Sequence, residues 1–144
     1  MIRPAAHEDI PALLDMGERF IEKAWSRVHV PFDRETCSDL LAGLIEQENG
    51  ILLTDDERSA MFGAVIHPWH FNRNVLTGTE LFWWAEPGCK TALAMKAEGE
   101  RLAKALGAKT FNMAHQHHMR GAALERLYRR QGYEPSEHIY IKEL

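Results

Sequence analysis

The segment from Glu86 to Ala108 begins like a phosphate-binding loop and continues with helical spacing. Its tetrad Gly88–Thr91, with the sequence GCKT, is similar to the end of a nucleotide P-loop. A P-loop has a further glycine five positions earlier, so that backbone amides can surround the phosphates. Trp83 occupies that position here, and Cys89 separates Gly88 from Lys90. The pattern therefore argues against ATP as the ligand.

The junction between this loop and the helix still has the features that bind an anion. The first-turn amides of a helix have no partner within the helix, and its positive dipole end attracts negative charge. Lys90 adds a charge there, and Thr91 and Ala92 are small enough to leave the amides accessible. The alternative is that Pro87 and Gly88 form an ordinary turn and that Lys90 is a solvated surface charge. The stretch alone leaves both interpretations open.

Clustered histidines raise the question of a metal site. The sequence HPWH contains His67 and His70, and HQHH contains residues 115, 117 and 118 of the same type. A metal site needs ligands that converge with defined geometry and a supporting shell of hydrogen bonds. Neither cluster has a cysteine or aspartate pattern beside it, so we predict no metal. The histidines are expected at the surface or lining an acceptor pocket.

Composition limits the classes of function. The 144 residues are 45% apolar and 26% charged, which is typical of one globular domain, residues 1–144. A net charge of −4 gives no reason to expect nucleic-acid binding. Cys37 and Cys89 form no CxxC pair, which favours a reducing, cytoplasmic environment. No apolar run approaches membrane length, so no membrane association is expected.

The hydrophobic periodicity changes along the chain and predicts both helices and strands. Asp33 is predicted to cap a helix, and Asp55–Arg58 is predicted to form a turn between strands. The predicted strands are 1–3, 50–54, 59–69, 79–86, 109–116 and 138–144; the predicted helices are 10–21, 34–48, 91–106 and 119–131; residues 70–78 are predicted as a loop. Strand, two helices, a three-strand meander and alternating helix and strand indicate an α+β fold with a mixed sheet.

Three stretches in this order resemble the GNAT family of acyl-CoA N-acyltransferases: IRPAAHEDIPAL at 2–13, ELFWWAEP at 80–87 and ALERLYRRQGYEP at 123–135. The closest likeness is to small phage- or prophage-type members. The resemblance covers essentially the whole chain. It implies a single-domain α+β fold whose mostly antiparallel sheet splays between strands 4 and 5, flanked by about four helices. It also implies acetyl-CoA as co-substrate and an amine acceptor, either a small molecule or a peptide.

By resemblance, the loop after the fourth strand binds the pyrophosphate of acetyl-CoA. The family pattern there is Q/R-x-x-G-x-G/A, whereas this chain has PGCKTALA, with one glycine, no arginine and a shorter length. The implied cofactor-binding residues are the main chain of Trp83, Trp84 and Ala85 for pantetheine, Gly88, Cys89, Lys90, Thr91 and Ala92 for pyrophosphate, and Arg129, or its neighbours Arg120 and Arg130, for the 3′-phosphate.

The resemblance also assigns catalytic roles. Tyr128 matches the family tyrosine that protonates the leaving thiolate, and a phenol with a pKa of ~10 keeps that proton at neutral pH. The alternative is a core tyrosine, because Tyr128 continues an apolar stripe that begins at Ala123 and is predicted to face the core. Glu80 is the candidate base or water holder, with His115 as the alternative. Gly121 replaces an asparagine that many members carry.

Two further expectations complete the sequence-based hypothesis. The acceptor pocket is expected between residues 24–32 and the 67–74 loop, although that loop is equally a candidate surface for a homodimer. The alternative function is a non-catalytic binding module on the same scaffold with a degenerate coenzyme A site, because a fold does not fix a function.

Overall fold

The computed structural model describes residues 1–24 and 31–144, and this part of the chain contains five strands and four α-helices. A short 3₁₀ turn, His7–Asp9, precedes the first helix. The elements are β1 (Ile2–Pro4), α1 (Ile10–Ala24), α2 (Arg34–Glu46), β2 (Gly50–Asp55), β3 (Ala60–Trp69), β4 (Asn72–Ala85), α3 (Ala92–Ala105), β5 (Thr110–Asn112) and α4 (Gly121–Arg130).

The strands form one mixed sheet in the order β1-β2-β3-β4-β5. The first four are antiparallel neighbours, and β5 pairs parallel to β4 over only three residues, Thr77–Thr79 with Thr110–Asn112. Beyond Thr79 the two strands separate. A β-bulge on β4 lies at this point, because Phe82 pairs with Gly63 while Glu80 pairs with the next residue of β3, which leaves Leu81 as the extra residue. The predicted α+β class and the splay between strands 4 and 5 are confirmed.

Helices cover both faces of the sheet. On one face α1 and α2 pack around Leu13, Met16 and Leu41, and on the other α3 packs around Phe62 and Met95. Asp33 caps α2 as predicted, accepting a hydrogen bond from the backbone of the residue three positions on, at 2.8 Å. Among the described residues, none of the helices combines the length and the hydropathy that a bilayer crossing requires.

Two predicted elements are wrong in extent. Residues 70–78 are not a loop, because β4 begins at Asn72 after a tight turn at His70 and Phe71. Pairing with β3 gives these polar residues backbone partners that a local pattern does not reveal. Strand β5 ends at Asn112 instead of at residue 116, so His115 lies outside the sheet.

Two further predictions near the C-terminus are wrong. Residues 138–144 alternate like a strand but form none in the described chain, and Ile139 and Tyr140 are exposed. An alternating pattern forms a strand only where a neighbouring strand supplies the hydrogen bonds. Ala123, predicted to face the core from α4, is exposed, whereas Tyr128 is buried as predicted.

Candidate functional site

The separation of β4 from β5 brings the two predicted catalytic residues to one point. The backbone N–H of Ala114, which follows β5, donates to Glu80 Oε2 at 3.1 Å. The hydroxyl of Tyr128, on α4, donates to the carbonyl oxygen of Ala114 at 2.9 Å. Glu80 and Tyr128 therefore both hydrogen-bond to Ala114, at the point where β4 and β5 separate and leave a gap in the sheet.

The environment of these two groups sets their protonation. Burial raises the pKa of Glu80 to about 7, against the opposing effect of the hydrogen bond from Ala114. A carboxyl group with that pKa exchanges a proton readily near neutral pH, as a general base must. Burial and the nearby charge of Glu80 raise the pKa of Tyr128 above its usual range, so its hydroxyl remains a proton donor.

A buried charged group beside Tyr128 was missed in the sequence. Lys96 on α3 is 1% exposed and pairs with Glu100. Its ammonium nitrogen lies 5.8 Å from the ring centroid of Tyr128 and 4.6 Å from that of Tyr133. The Tyr133 hydroxyl donates to Glu100 Oε1 at 2.5 Å. Lys and Glu four residues apart are typical of a solvated helix surface, so no sequence signal distinguished this buried pair.

The start of α3 is held in place by an aspartate that sequence reasoning also missed. Thr91 occupies the N-cap position but makes no side-chain cap; its hydroxyl donates to Asp55 Oδ2 at 2.7 Å. Asp55 is buried and also accepts from the backbone and the hydroxyl of Ser59, each at 2.6 Å. Burial alone would raise the pKa of Asp55, but these donors together hold it below its usual value. The β2–β3 turn therefore fixes the position of the loop before α3.

The loop itself presents an open glycine and a half-buried cysteine. Gly88 has φ +88°, and a Cβ placed on it would meet no atom within 4 Å. Cys89 Sγ lies 3.2 Å from Thr91 Oγ1. Burial acts to raise the pKa of Cys89, but hydrogen bonds from Ser59 and Thr91 and from the amides of Thr91 and Ala92 lower it overall. Donor groups at the helix start therefore stabilise the thiolate form of Cys89.

The two tryptophans of β4 face opposite sides of the sheet. Trp83 lies on the α3 side, and its indole N–H donates to the carbonyl of Ala92 at 3.2 Å. Trp84 lies on the α1 side, with its ring 5.4 Å from that of Phe20 and 5.2 Å from the Lys23 ammonium. Within residues 1–24 and 31–144, the indole nitrogen of Trp84 is buried without a hydrogen-bond partner.

The main chain around these tryptophans has one paired and one open edge. Residues 83–85 pair with β3. On their other side the ladder with β5 has already ended at Thr79, so no strand of the described chain lies beside them. Unpaired strand edges accept an extended ligand through main-chain hydrogen bonds.

Two of the remaining predicted site residues, Lys90 and Arg129, have exposed side chains. Lys90 is exposed on the loop. Arg129 is bound to Glu125 on the exposed face of α4, with a shortest distance of 2.9 Å. Most of the predicted acceptor segment 24–32 falls on residues 25–30, which lie outside the described residues.

The histidines do not form a metal centre in the described part of the chain. No cluster of three or more His, Cys, Asp or Glu side chains there has suitable geometry. His67 bonds to Thr79 at 2.8 Å, and its ring lies 5.9 Å from that of His70. His115 lies 6.3 Å from the Tyr128 ring, and its Nδ1 is buried with no partner among the described residues.

Comparison with solved structures identifies the fold. An acetyltransferase from Trypanosoma brucei aligns over 100% of this chain and 99% of its own, with a TM-score of 0.72 and 11% identity. An aminoglycoside acetyltransferase from an uncultured soil metagenomic sample aligns over 100% and 96%, with a TM-score of 0.69 and 11% identity. A transcriptional regulator from Bacillus halodurans aligns over 100% and 99%, with a TM-score of 0.76 and 13% identity.

No protein-family model matches the sequence, and a search of curated protein sequences finds no significant match. At identities this low the structural likeness establishes the fold. Residues 1–24 and 31–144 have the single-domain α+β fold of GNAT-type acetyltransferases, with four helices and a five-stranded mixed sheet. The site residues within that fold have to be argued from their own chemistry.

Proposed function

We propose that this protein is an N-acyltransferase that moves the acetyl group of acetyl-CoA to an amine. The observation that carries the proposal is the meeting of Glu80 and Tyr128 at Ala114, where β4 and β5 separate. A carboxyl group with a pKa of about 7 and a protonated phenol are the base and the acid that such a transfer uses.

The pyrophosphate of acetyl-CoA would bind at the start of α3. Gly88 leaves the backbone of the loop open, and Lys90 supplies a positive charge. The Asp55–Thr91 hydrogen bond keeps the first turn fixed before the ligand arrives, which lowers the entropic cost of binding. The first-turn amides of α3, which have no partner within the helix, would donate to the phosphate oxygens.

Pantetheine would lie along the open edge of residues 83–85 and carry the thioester to the strand gap. The amine nitrogen attacks the thioester carbonyl, and Glu80, directly or through water, accepts the proton that the amine loses. The C–S bond then breaks, and Tyr128 donates its proton to the departing thiolate. The products are the acetylated amine and coenzyme A. Alignment of the two reactants supplies a large part of the rate.

A second candidate is a binding module of the same fold in which coenzyme A binding has decayed. The observation in its favour is the loop PGCKTALA, which has one glycine and no arginine. A cytoplasmic location and a phage-type origin remain part of the proposal on sequence grounds alone.

Two glycine substitutions separate the candidates. Gly88 and Gly132 have similar backbones, with φ +88° and +86°, and both are open around the missing Cβ. Alanine at either position strains the backbone to a similar degree. If the loop binds acetyl-CoA, the Gly88→Ala loop relieves this strain by leaving the positive-φ conformation, which moves its amides from the phosphate and weakens the affinity measured by calorimetry by about tenfold. Gly132→Ala leaves the affinity unchanged. Absence of acetyl-CoA binding by the unaltered protein would favour the binding module.

Tyr128→Phe tests the acid. The variant loses the hydroxyl but keeps the ring packing, so we expect turnover to fall by roughly 10²-fold and acetyl-CoA affinity to change little. Steady-state assays with a panel of amines measure the turnover, and calorimetry measures the affinity. Equal turnover in the variant and the unaltered enzyme would remove Tyr128 from the mechanism.

A further inference from the structure

Lys96 is a buried charged side chain to which the proposed mechanism gives no role. It lies on α3, and 1% of its surface is exposed. Its ammonium group pairs with Glu100, one helical turn further on, whose side chain is 35% exposed. Burying an ammonium ion is costly, and an apolar pair of similar volume often stabilises a protein as well or better. The burial of Lys96 therefore needs an explanation other than stability.

The C-terminal end of α4 places Tyr133 against Tyr128. Gly132, with φ +86°, follows this helix, and its N–H donates to the carbonyl of Arg129 at 3.1 Å. The N–H of Tyr133 donates to the carbonyl of Tyr128 at 3.0 Å. These two bonds form a Schellman motif, in which the residue after the glycine packs back on the last turn. The two tyrosine rings accordingly lie 5.6 Å apart.

The ammonium group of Lys96 lies against both of these rings. It is 4.6 Å from the ring centroid of Tyr133 and 5.8 Å from that of Tyr128. Its nitrogen also lies 3.4 Å from the hydroxyl oxygen of Tyr133. That hydroxyl donates to Glu100 Oε1 at 2.5 Å. Glu100 and Tyr133 therefore hold the ammonium in place, and a positive charge faces the two aromatic rings.

The acid step of the proposed reaction leaves a negative charge on Tyr128. When the C–S bond breaks, its electron pair stays on sulfur, and the thiolate takes the proton of the Tyr128 hydroxyl. The O–H electron pair remains on oxygen as a phenolate, which then takes a proton from water. The transfer runs uphill, because an ordinary thiol has a pKa of ~8.5 and an ordinary phenol one of ~10. Burial and the charge of Glu80 raise the pKa of Tyr128 further.

We propose that Lys96 assists this step as a positioning residue: its ammonium group, held by Glu100 and Tyr133, stabilises the phenolate that forms on Tyr128. The inference rests on the proposed function, which makes Tyr128 the acid. A positive charge about 4–6 Å away favours the ionised form of an acid by about tenfold or more. Glu100 opposes this effect, but its side chain is partly exposed and bonds to the hydroxyl of Tyr133. We therefore expect the lower end of that range, about tenfold.

Titration of residue 128 measures the interaction without acetyl-CoA or an amine. A fluorinated tyrosine at this position is more acidic than tyrosine, and fluorine NMR follows the ionisation of that ring alone. Lys96→Met combined with Glu100→Gln removes both charges and nearly keeps both volumes. It is expected to lower the acid dissociation constant of the phenol by about tenfold. Lys104→Met, which removes an exposed charge from the same helix, is the matched control and should leave this constant unchanged.

Equal ionisation of the phenol in the unaltered background and in both variants would overturn the proposal. The double substitution should fold, because a neutral pair of similar volume replaces a buried ion pair. A protein that transfers no acetyl group would count against the proposed function, and the titration alone would then decide whether Lys96 stabilises the phenolate.

Turnover tests the consequence for the reaction in a double-mutant cycle. With Tyr128 present, Lys96→Met combined with Glu100→Gln is expected to lower turnover by roughly tenfold and to leave the KM for acetyl-CoA unchanged. In a Tyr128→Phe background the same change should alter turnover by less than about twofold, because the ring is still packed but no phenolate forms. Equal losses in the two backgrounds would show that Lys96 acts through packing and would contradict the proposal.

Discussion

Glu80→Gln should make the protein more stable above neutral pH. Burial raises the pKa of Glu80 from 4.5 to about 7 in the folded state. The folded protein therefore holds this proton more tightly than the unfolded chain does. The stability that protonated Glu80 contributes is complete below pH 4.5 and is lost as the pH rises from 4.5 through about 7. Glutamine carries no charge at any pH, so the variant does not lose stability at this position as the pH rises.

The size of the effect follows from the two pKa values. The difference between 4.5 and about 7, at ~1.4 kcal/mol for each tenfold change in proton affinity, corresponds to roughly 3 kcal/mol. Solvent reaches part of the side chain, so we expect about half of this, roughly 1.5 kcal/mol, at pH 8. Near pH 4 the protein and the variant should be equally stable, because Glu80 is then protonated in the folded state.

Urea denaturation at several pH values between 4 and 8 measures the difference in the free energy of unfolding. Glu98→Gln is the control with opposite sign, because the hydrogen bond from Arg101 lowers the pKa of Glu98 and its charge therefore favours folding. If the free energy of unfolding of Glu80→Gln does not rise relative to that of the unaltered protein as the pH increases, the reasoning that Glu80 occupies a desolvated site is refuted. That result would also remove the physical basis for its role as a base.

The remaining predictions concern packing and a buried ion pair. Gly99→Ala should lower the free energy of unfolding by about 1–3 kcal/mol, because a Cβ there would lie 2.3 Å from the buried ring of Phe62. Gly43→Ala in α2, where the nearest atom is 3.5 Å away, should raise it by about 0.5–1 kcal/mol; equal effects in urea denaturation would contradict this account of α3 packing. Asp9→Asn should cost ~3 kcal/mol, since Asp9 is fully buried against Arg3 at 2.7 Å. Hydrogen bonds from Arg3 hold the pKa of Asp9 well below its usual range, so thermal denaturation should show the deficit shrinking below pH ~4 and not at neutral pH.

The sequence predicted the parts of the fold that depend on local patterns. The Asp33 cap, the turn at Asp55–Arg58 and the helix after Thr91 are present because capping residues, turn residues and apolar spacing act over a few positions. The extent of β4 and the fate of residues 138–144 depend on which strand lies alongside, and one sequence does not contain that information.

The candidate site also contains some residues that the sequence predicted and others that only the tertiary structure reveals. Glu80 and Tyr128 were selected by resemblance, and the structure places both of them against Ala114. Asp55 and Lys96 were missed because an aspartate in a turn and a lysine on a helix are usually solvated. Only tertiary packing buries them. Charge burial of this kind depends on residues far apart in sequence.

The reactivity of Cys89 tests the central claim that the start of α3 binds acetyl-CoA. Cys89 is half-buried with a lowered pKa, while burial raises the pKa of Cys37. Alkylation rates of both thiols are measured by mass spectrometry with and without saturating acetyl-CoA, which has no free thiol of its own. We predict that Cys89 reacts about tenfold or more slowly when acetyl-CoA is bound, while the rate at Cys37 stays the same. An unchanged rate at Cys89 under saturating acetyl-CoA would contradict the claim.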